Sequence, residues 1–292
     1  PDFESSEPLR FLHRRLPVGE IFFISNPSAS AREAVCRFRV KDMQPEWWNP
    51  LTGERRALRV FKPTADGRTE MALSLGGSES GFVVFREKRS GRKSSWNEIE
   101  ARPSQTRLEL AGPWDVSFPP QRGASTSVRL DRLASLSEHP DPHVKYFSGV
   151  ATYRTSFDWP TSTESLPPGG IVLDLGDVQV MAEVKLNGRN LGTVWCAPFG
   201  VDVSAAIRPG RNELEVRVAN LWLNRMIGDA QEADGTTTRR NGLATAWPEW
   251  LRQSESPPAN RISWSAYEPF KKDSPLPASG LIGPVTIRTR QQ

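Results

Sequence analysis

Cysteine and histidine are scarce: two Cys and three His in 292 residues. Cys36 and Cys196 lie far apart and match no CxxC or Cys/His spacing, which excludes a disulfide framework and a structural zinc site as the basis of the fold. No apolar run approaches the roughly 18 residues needed to span a bilayer, and the mean hydropathy is -0.50. The chain therefore reads as soluble, without a membrane partner. Phosphate-cradling glycine motifs are missing too, since Gly76-Gly77 and Gly280 stand outside any GxGxxG or GKS context, so neither a nucleotide nor another cofactor is expected. The excess of positive charge is small, 38 Lys+Arg against 34 Asp+Glu. Arg86, Lys88, Arg89, Arg92 and Lys93 cluster without an RNA-binding aromatic signature and read as a solvated linker, so no nucleic-acid partner follows. Long amphipathic helices are absent; the short stretches 131–137 and 248–253 are the helix candidates.

What is present is period-two alternation. Cys36, Phe38 and Val40 alternate with Arg37 and Arg39, and Leu214, Val216 and Val218 alternate with Glu213, Glu215 and Arg217, as in half-buried strands. Similar runs occupy 21–25, 82–86, 108–110, 151–157, 171–175, 182–186 and 285–288, punctuated by Gly, Pro, Asn and Asp. Asn187-Gly188 and Asp66-Gly67 read as two-residue hairpin turns. The expectation is an all-β protein of two antiparallel β-sandwich domains. The first, of about seven strands, spans 1–88; a linker, 89–103, interrupts the alternation; the second spans 104–292. Within the second, 229–280 read as long loops packed on the sandwich. The start at Pro1-Asp2-Phe3, without Met or a charged-then-apolar leader, reads as a piece of something longer.

Catalytic and metal constellations are not evident. His13, His139 and His143 are the available bases and no GxSxG elbow accompanies them. The knot 138–143, Glu-His-Pro-Asp-Pro-His, reads as a turn rather than a ligand set because two prolines hold it extended. No calcium ligand spacing is seen among Asp174, Asp177 and Asp202. Trp47-Trp48 and Trp114 read as core or domain-interface residues. By contrast Trp195, Trp222, Trp247, Trp250, Trp264 and Tyr267 crowd the loop-rich part of the second domain. An indole or phenol face packs against the C–H patch of a pyranose, while amide and guanidinium groups bind its hydroxyls. These six aromatics, with Asn224 and Arg225, are the candidate carbohydrate-binding residues; Asn220, Glu249 and Arg252 lie near them in sequence.

A resemblance to a known family rests on several of these stretches. GVATYRTSF (149–157), EVKLNGRNLG (183–192) and the run from Pro198-Phe199 to RPGRNEL (208–214) resemble the sugar-binding jelly-roll domain of glycoside hydrolase family 2. GPW (112–114), EHPDP (138–142), YFSG (146–149), NLWLNRMIGD (220–229), WPEWL (247–251) and SGLIGPV (279–285) resemble the C-terminal β-domains of glycoside hydrolase family 106, the α-L-rhamnosidases. HRR (13–15), IFFISN (21–26) and WNPLTGE (48–54) are similar to the β-domain preceding that jelly roll. The resemblance implies a galactose-binding-like jelly roll and places the catalytic barrel, with its carboxylates and any metal, N-terminal to these domains and outside this chain. It therefore carries over no catalytic residue. It implies a non-catalytic accessory region of a bacterial polysaccharide-degrading hydrolase, secreted or periplasmic in its full-length form, that binds plant or bacterial polysaccharide. The alternative it leaves open is a pair of bracing domains packed on the absent barrel without binding sugar.

Overall fold

The computed structural model describes residues 1–88, 106–120, 127–160, 170–231, 237–255, 261–268 and 270–289, with the side chains of 87 and 88 excepted. The chain divides into two compact units, within Pro1–Pro103 and Ser104–Arg290. The expected linker, 89–103, lies outside the described residues, as do Arg89, Arg92, Lys93 and the Lys88 side chain of the basic cluster. Arg86 is described, and its guanidinium pairs with Glu46 at 3.1 Å.

Among the described residues the first unit holds nine strands: β1 (Phe3–Ser5), β2 (Arg10–Leu16), β3 (Gly19–Ser25), β4 (Arg32–Phe38), β5 (Met43–Trp48), β6 (Arg55–Ala57), β7 (Lys62–Pro63), β8 (Thr69–Leu75) and β9 (Ser80–Lys88). They form two antiparallel sheets, ordered β1-β4-β8-β7 and β2-β3-β9-β5-β6. The alternation seen in sequence is the fold's own: Ala34, Cys36 and Phe38 of β4 point inward, as do Phe22 and Ile24 of β3. The sheets meet through aromatic edges, Phe22 against Phe38 at 5.0 Å. The strands beyond the expected seven are two- and three-residue pieces such as β6 and β7, too short to alternate visibly. Asp66-Gly67 also differs from expectation. The turn between Thr64 and Arg68 contains three residues, and of these Gly67 alone has positive φ, +77°. Its backbone is that of a type I turn closed by a glycine bulge, not a two-residue loop. Trp47 is core, 8 % exposed. Trp48 is half-buried, donating from Nε1 to Glu46 at 2.7 Å with the Arg55 guanidinium 4.2 Å over its ring.

The second unit continues with β10 (Thr106–Glu109), β11 (Trp114–Ser117), β12 (Ser127–Leu130), α1 (Pro142–Lys145), β13 (Gly149–Trp159), β14 (Ile171–Asp174), β15 (Asp177–Gln179), β16 (Met181–Leu186), β17 (Arg189–Val194), β18 (Gly200–Asp202), β19 (Gly210–Asn220), α2 (Leu223–Asp229), β20 (Arg239–Arg240), β21 (Leu243–Ala244), α3 (Glu249–Arg252), β22 (Gly280–Gly283) and β23 (Thr286–Thr289). A six-stranded sheet, β12-β11-β13-β19-β16-β17, faces a four-stranded sheet, β10-β23-β14-β18, in an antiparallel jelly-roll sandwich. Trp114, Tyr153, Leu173, Val184, Val216 and Ile287 share the core between them. The Asn187-Gly188 hairpin joins β16 to β17, with φ of +53° and +79° as a type I′ turn demands.

Helix is sparse, and it forms at one of the two expected places and at two that were not expected. Of the expected stretch 131–137 only a single 3-10 turn, Leu136–Glu138, forms, and 248–253 contains the one-turn α3. Both α1 and α2 escaped the period-two reading. The knot around His139 turns out to be a helix start: the Asp141 carboxylate accepts the His143 N–H at 2.9 Å and Pro142 occupies the first turn, while His139 Nδ1 accepts the Asp141 N–H at 3.1 Å. Between β19 and β22 the chain runs through α2, a small hairpin and α3, and this excursion carries most of the candidate aromatics.

Candidate functional site: an aromatic surface on the β19–β22 excursion

The excursion is organised from α2 outward. Gly228 lets α2 approach Tyr146, because a Cβ there would sit 2.6 Å from the Tyr146 Cβ. On the buried face of the helix Arg225 Nη2 pairs with Asp229 Oδ1 at 2.8 Å, one turn on, and the Arg225 guanidinium lies 5.9 Å from the Tyr146 ring centroid. The Asp229 carboxylate then reaches across to the segment that begins at Arg261, beyond α3. It accepts the Ile262 N–H at 3.2 Å, the Ser263 N–H at 2.6 Å and the Ser263 hydroxyl at 2.5 Å. A buried carboxylate tolerates removal from water only when so satisfied, which makes Asp229 the peg of this segment.

The segment is pinned a second time on the hairpin of β20 and β21. Asn241 and Gly242 turn that hairpin with φ of +52° and +78°. The Ala244 N–H donates to the Ala266 carbonyl at 2.7 Å, and Leu243 bridges to Tyr267. Arg239 donates to the Ser265 and Ala266 carbonyls at 2.9 and 3.1 Å and pairs with Glu268 at 3.0 Å. Tyr267 lies over Gly242, whose absent Cβ would meet the ring at 3.6 Å. Trp264 donates from Nε1 to Thr237 Oγ1 at 3.3 Å and packs against Trp247, ring centroids 5.4 Å apart and planes tilted by 36°. Trp247 is 63 % exposed and Tyr267 55 % exposed. Large aromatic faces are left in water here although the hairpin is well hydrogen-bonded, which is the condition for docking a flat apolar surface.

Next to Tyr267 opens a cleft of about 260 Å³ whose rim carries Arg239, Arg261, Glu268, Lys271 and Lys272. A broader groove of about 760 Å³ lies over the six-stranded sheet. It is a different kind of surface. Arg154 and Lys185 both pair with Glu215, at 2.7 and 3.4 Å, and among the described residues no aromatic side chain lines it. Burial would raise the Glu215 pKa, but the Arg154 and Lys185 cations outweigh it and hold the carboxyl below its usual range.

Of the sequence candidates, the structure packs Trp247 against Trp264, while Tyr267, three residues after Trp264, lies on the hairpin over Gly242. Trp250 is half-buried on α3, with its indole N–H buried and without an acceptor among the described residues. Trp222 is exposed at the start of α2, and Trp195, 60 % exposed, follows β17 at the edge of the six-stranded sheet. Asn224 and Arg225 require correction. They are 3 % and 7 % exposed, and they serve the packing of α2: the Asn224 amide donates to the Pro277 carbonyl at 2.9 Å, and Arg225 is committed to Asp229. Facing inward, they present no polar group to a sugar. The rim cations Arg239, Arg261, Lys271 and Lys272 were not among the sequence candidates. Only the doublets Arg239-Arg240, at a hairpin, and Lys271-Lys272 could have signalled them.

Comparison with known proteins bears on this arrangement. The family model described as alpha-L-rhamnosidase, glycosyl hydrolase family 106, matches residues 1–62. The model described as glycosyl hydrolase 2 galactose-binding domain-like matches residues 141–255, which include β13 to β19 and the hairpin. A rhamnosidase from Novosphingobium sp. PP1Y superimposes with a TM-score of 0.80 at 36 % identity, over 99 % of this chain and 25 % of that one. A putative beta-glucuronidase from Formosa agariphila is 41 % identical over 181 residues, 62 % of this chain and 15 % of that protein. The chain thus spans a small part of the length of these relatives. The resemblance read from the motifs holds at the level of domains: the two units are glycoside hydrolase-related β-domains, the second galactose-binding-like.

Proposed function

We propose that these glycoside hydrolase-related domains form a non-catalytic, carbohydrate-binding accessory region of an α-L-rhamnosidase-like hydrolase, presenting plant or bacterial polysaccharide to a catalytic domain elsewhere in a longer, secreted or periplasmic protein. The observation that carries the reading is the exposed indole of Trp247, packed on the half-buried Trp264, with the exposed ring of Tyr267 three residues further along the same segment. A pyranose offers a face of C–H groups, and stacking it on an indole removes apolar area from water without stranding a hydroxyl, because the ring's equatorial hydroxyls project past the aromatic edge. Trp264 is held by Thr237 and by the Asp229-anchored backbone, so the surface is ordered before ligand arrives and little conformational freedom is lost on binding.

The test is retention of the 292-residue chain on affinity gels and a glycan array carrying rhamnose-containing pectins, xylans, β-glucans and simple sugars, in wild-type form and as Trp247→Ala. Saturable binding lost in Trp247→Ala, with the melting temperature kept, supports the reading. A folded wild-type chain that is silent across the panel overturns it in favour of bracing domains, whose exposed aromatics would be covered by the rest of the longer protein.

A further inference from the structure

We propose that the outward face of β16, β17 and β19 is a second glycan-binding surface, where Trp195 stacks on a neutral sugar unit while Glu183, Arg217 and Asn190 bind its adjacent hydroxyls. This rests on the carbohydrate-binding reading above and adds to it a site built without Trp247 or the β20–β21 hairpin.

Strand register places these groups together. Glu183 of β16 lies opposite Arg217 of β19 on one side and opposite Thr193 of β17 on the other. Val194 packs against the core, so Thr193 before it and Trp195 after it turn to the outer face. Trp195 is then the diagonal neighbour of Glu183, at a separation of roughly 7–8 Å that aromatic and long side chains span. The indole is 60 % exposed. Met181, 42 % exposed, and Trp195 each lie one residue beyond the Ala182–Val194 pair, and they form the apolar end of the face.

The polar groups beside the indole are fixed and only partly used. Glu183 Oε2 accepts from Arg217 Nη1 at 2.5 Å and Oε1 from Asn190 Nδ2 at 2.9 Å, and Asn190 Oδ1 accepts the Gly192 N–H at 2.8 Å. A guanidinium carries five N–H donors. Among the described residues one of them is engaged, and the Arg217 side chain is 42 % exposed, so donors remain for a ligand. One hydroxyl donates to a remaining lone pair of Glu183 while its neighbour accepts from Arg217, both groups being held in place beforehand. This trio next to the indole favours a hydroxylated ring over an apolar protein surface. The charges of Glu183 and Arg217 compensate each other, and an acidic ring would bring its own charge against Glu183, so the ring is neutral. The face also continues. Lys185 and Glu215, the next outward residues along β16 and β19, line the groove of about 760 Å³. That volume is within the roughly 300–1,000 Å³ of ligand-enclosing sites, so the glycan beyond the stacked unit has room to lie along the strands.

Titration calorimetry of the 292-residue chain tests the proposal with neutral xylohexaose, a neutral β-glucan oligosaccharide and polygalacturonate. Wild type is compared with Trp247→Ala, and Trp195→Ala and Glu183→Gln are each added to that variant. The expected result is that Trp247→Ala removes one binding component for a neutral ligand and leaves another, which Trp195→Ala and Glu183→Gln each weaken about tenfold or more at unchanged melting temperature. If one of the added substitutions melts early, the other decides. Neutral-ligand binding by wild type that vanishes entirely in folded Trp247→Ala overturns the second surface and leaves the carbohydrate-binding reading intact. So does residual binding that the folded Trp195→Ala and Glu183→Gln variants keep. Polygalacturonate bound by Trp247→Ala more tightly than either neutral ligand overturns the assignment of a neutral ring. Absence of binding of all the ligands to folded wild type overturns this proposal together with the reading it rests on.

Discussion

The Asp229 carboxylate accepts both the backbone N–H and the hydroxyl of Ser263, at 2.6 and 2.5 Å, and this places Trp264 beside Trp247. One buried side chain on a short helix therefore positions an indole that follows it by more than thirty positions and backs the exposed Trp247.

Replacing that peg has a defined cost. In Asp229→Ala, Arg225 keeps its charge in a buried site without its partner, and the Ser263 N–H loses its acceptor. Breaking a buried pair on one side costs about 3–5 kcal/mol, and each kcal/mol lowers the melting temperature of a unit this size by roughly 2–4 °C. Asp229→Ala is expected to melt early and to lose the near-ultraviolet dichroism of the packed indoles, with Asp229→Asn milder. Melting within about 2 °C of wild type would show that the segment is held without Asp229.

A second expectation concerns the first unit. A Cβ on Gly81 would lie 2.1 Å from Cζ2 of Trp47, so the ring owes its seat in the core to the missing side chain. Gly81→Ala must push Trp47 aside, an overpacking change of about 1–3 kcal/mol or more. Urea unfolding should show the loss. Gly53→Ala is the control for backbone effects, because its Cβ would meet nothing within 4 Å although its φ is +71°; it should cost only the strain of that φ, about 1–2 kcal/mol.

Much of this architecture was legible in the chain, for reasons the residues make plain. β4 and β19 are half-buried strands, so Cys36, Phe38, Val216 and Val218 alternate with charges and betray them. α2 was not legible because its buried face is Asn224, Arg225, Gly228 and Asp229 with Ile227 as the one apolar member, too little to give an apolar period. The same fact misdirected two site residues: Asn224 and Arg225 look like sugar ligands beside tryptophans, but their polarity serves a hydrogen-bonded helix interior. The cleft was hidden for another reason. Arg239, Tyr267 and Lys271 come together through the Leu243–Tyr267 bridge, the Arg239 bonds to Ser265 and Ala266 and the Asp229 contacts, long-range pairings that no local pattern encodes.

Acid sensitivity of the first unit should trace in part to Glu70. Lys62 and Arg37, bonded to its two oxygens at 2.8 and 2.6 Å, hold its pKa below the ordinary 4.5 despite burial. A carboxyl whose folded pKa is depressed contributes stability that is complete above its unfolded pKa and disappears as pH falls through the folded one. Glu70→Gln should accordingly be less stable near neutrality and show a shallower loss of stability below about pH 4.5. Denaturant midpoints measured across that range decide it, and parallel curves for the two proteins would remove Glu70 as a contributor.

The two thiols should differ in reactivity. Burial pushes the Cys36 pKa up to about 11, and its Sγ sits in the first unit's core near the Ser5 hydroxyl and the Ala34 carbonyl, both at 3.8 Å. The thiolate is the nucleophile, so at pH 8 only about one Cys36 in a thousand is in the reactive form, and the packed sheets around it exclude the reagent as well. Cys196 is also raised by burial, but it is only half-buried, just after the exposed Trp195. Iodoacetamide at about pH 8 should therefore modify Cys196 first, with Cys36 following at the rate at which the first unit opens and catching up in denaturant. Peptide mass spectrometry over a time course reads both. Equal rates in native buffer would mean that β4 opens readily, and the same course on Gly81→Ala, whose core is strained, should bring the Cys36 rate up.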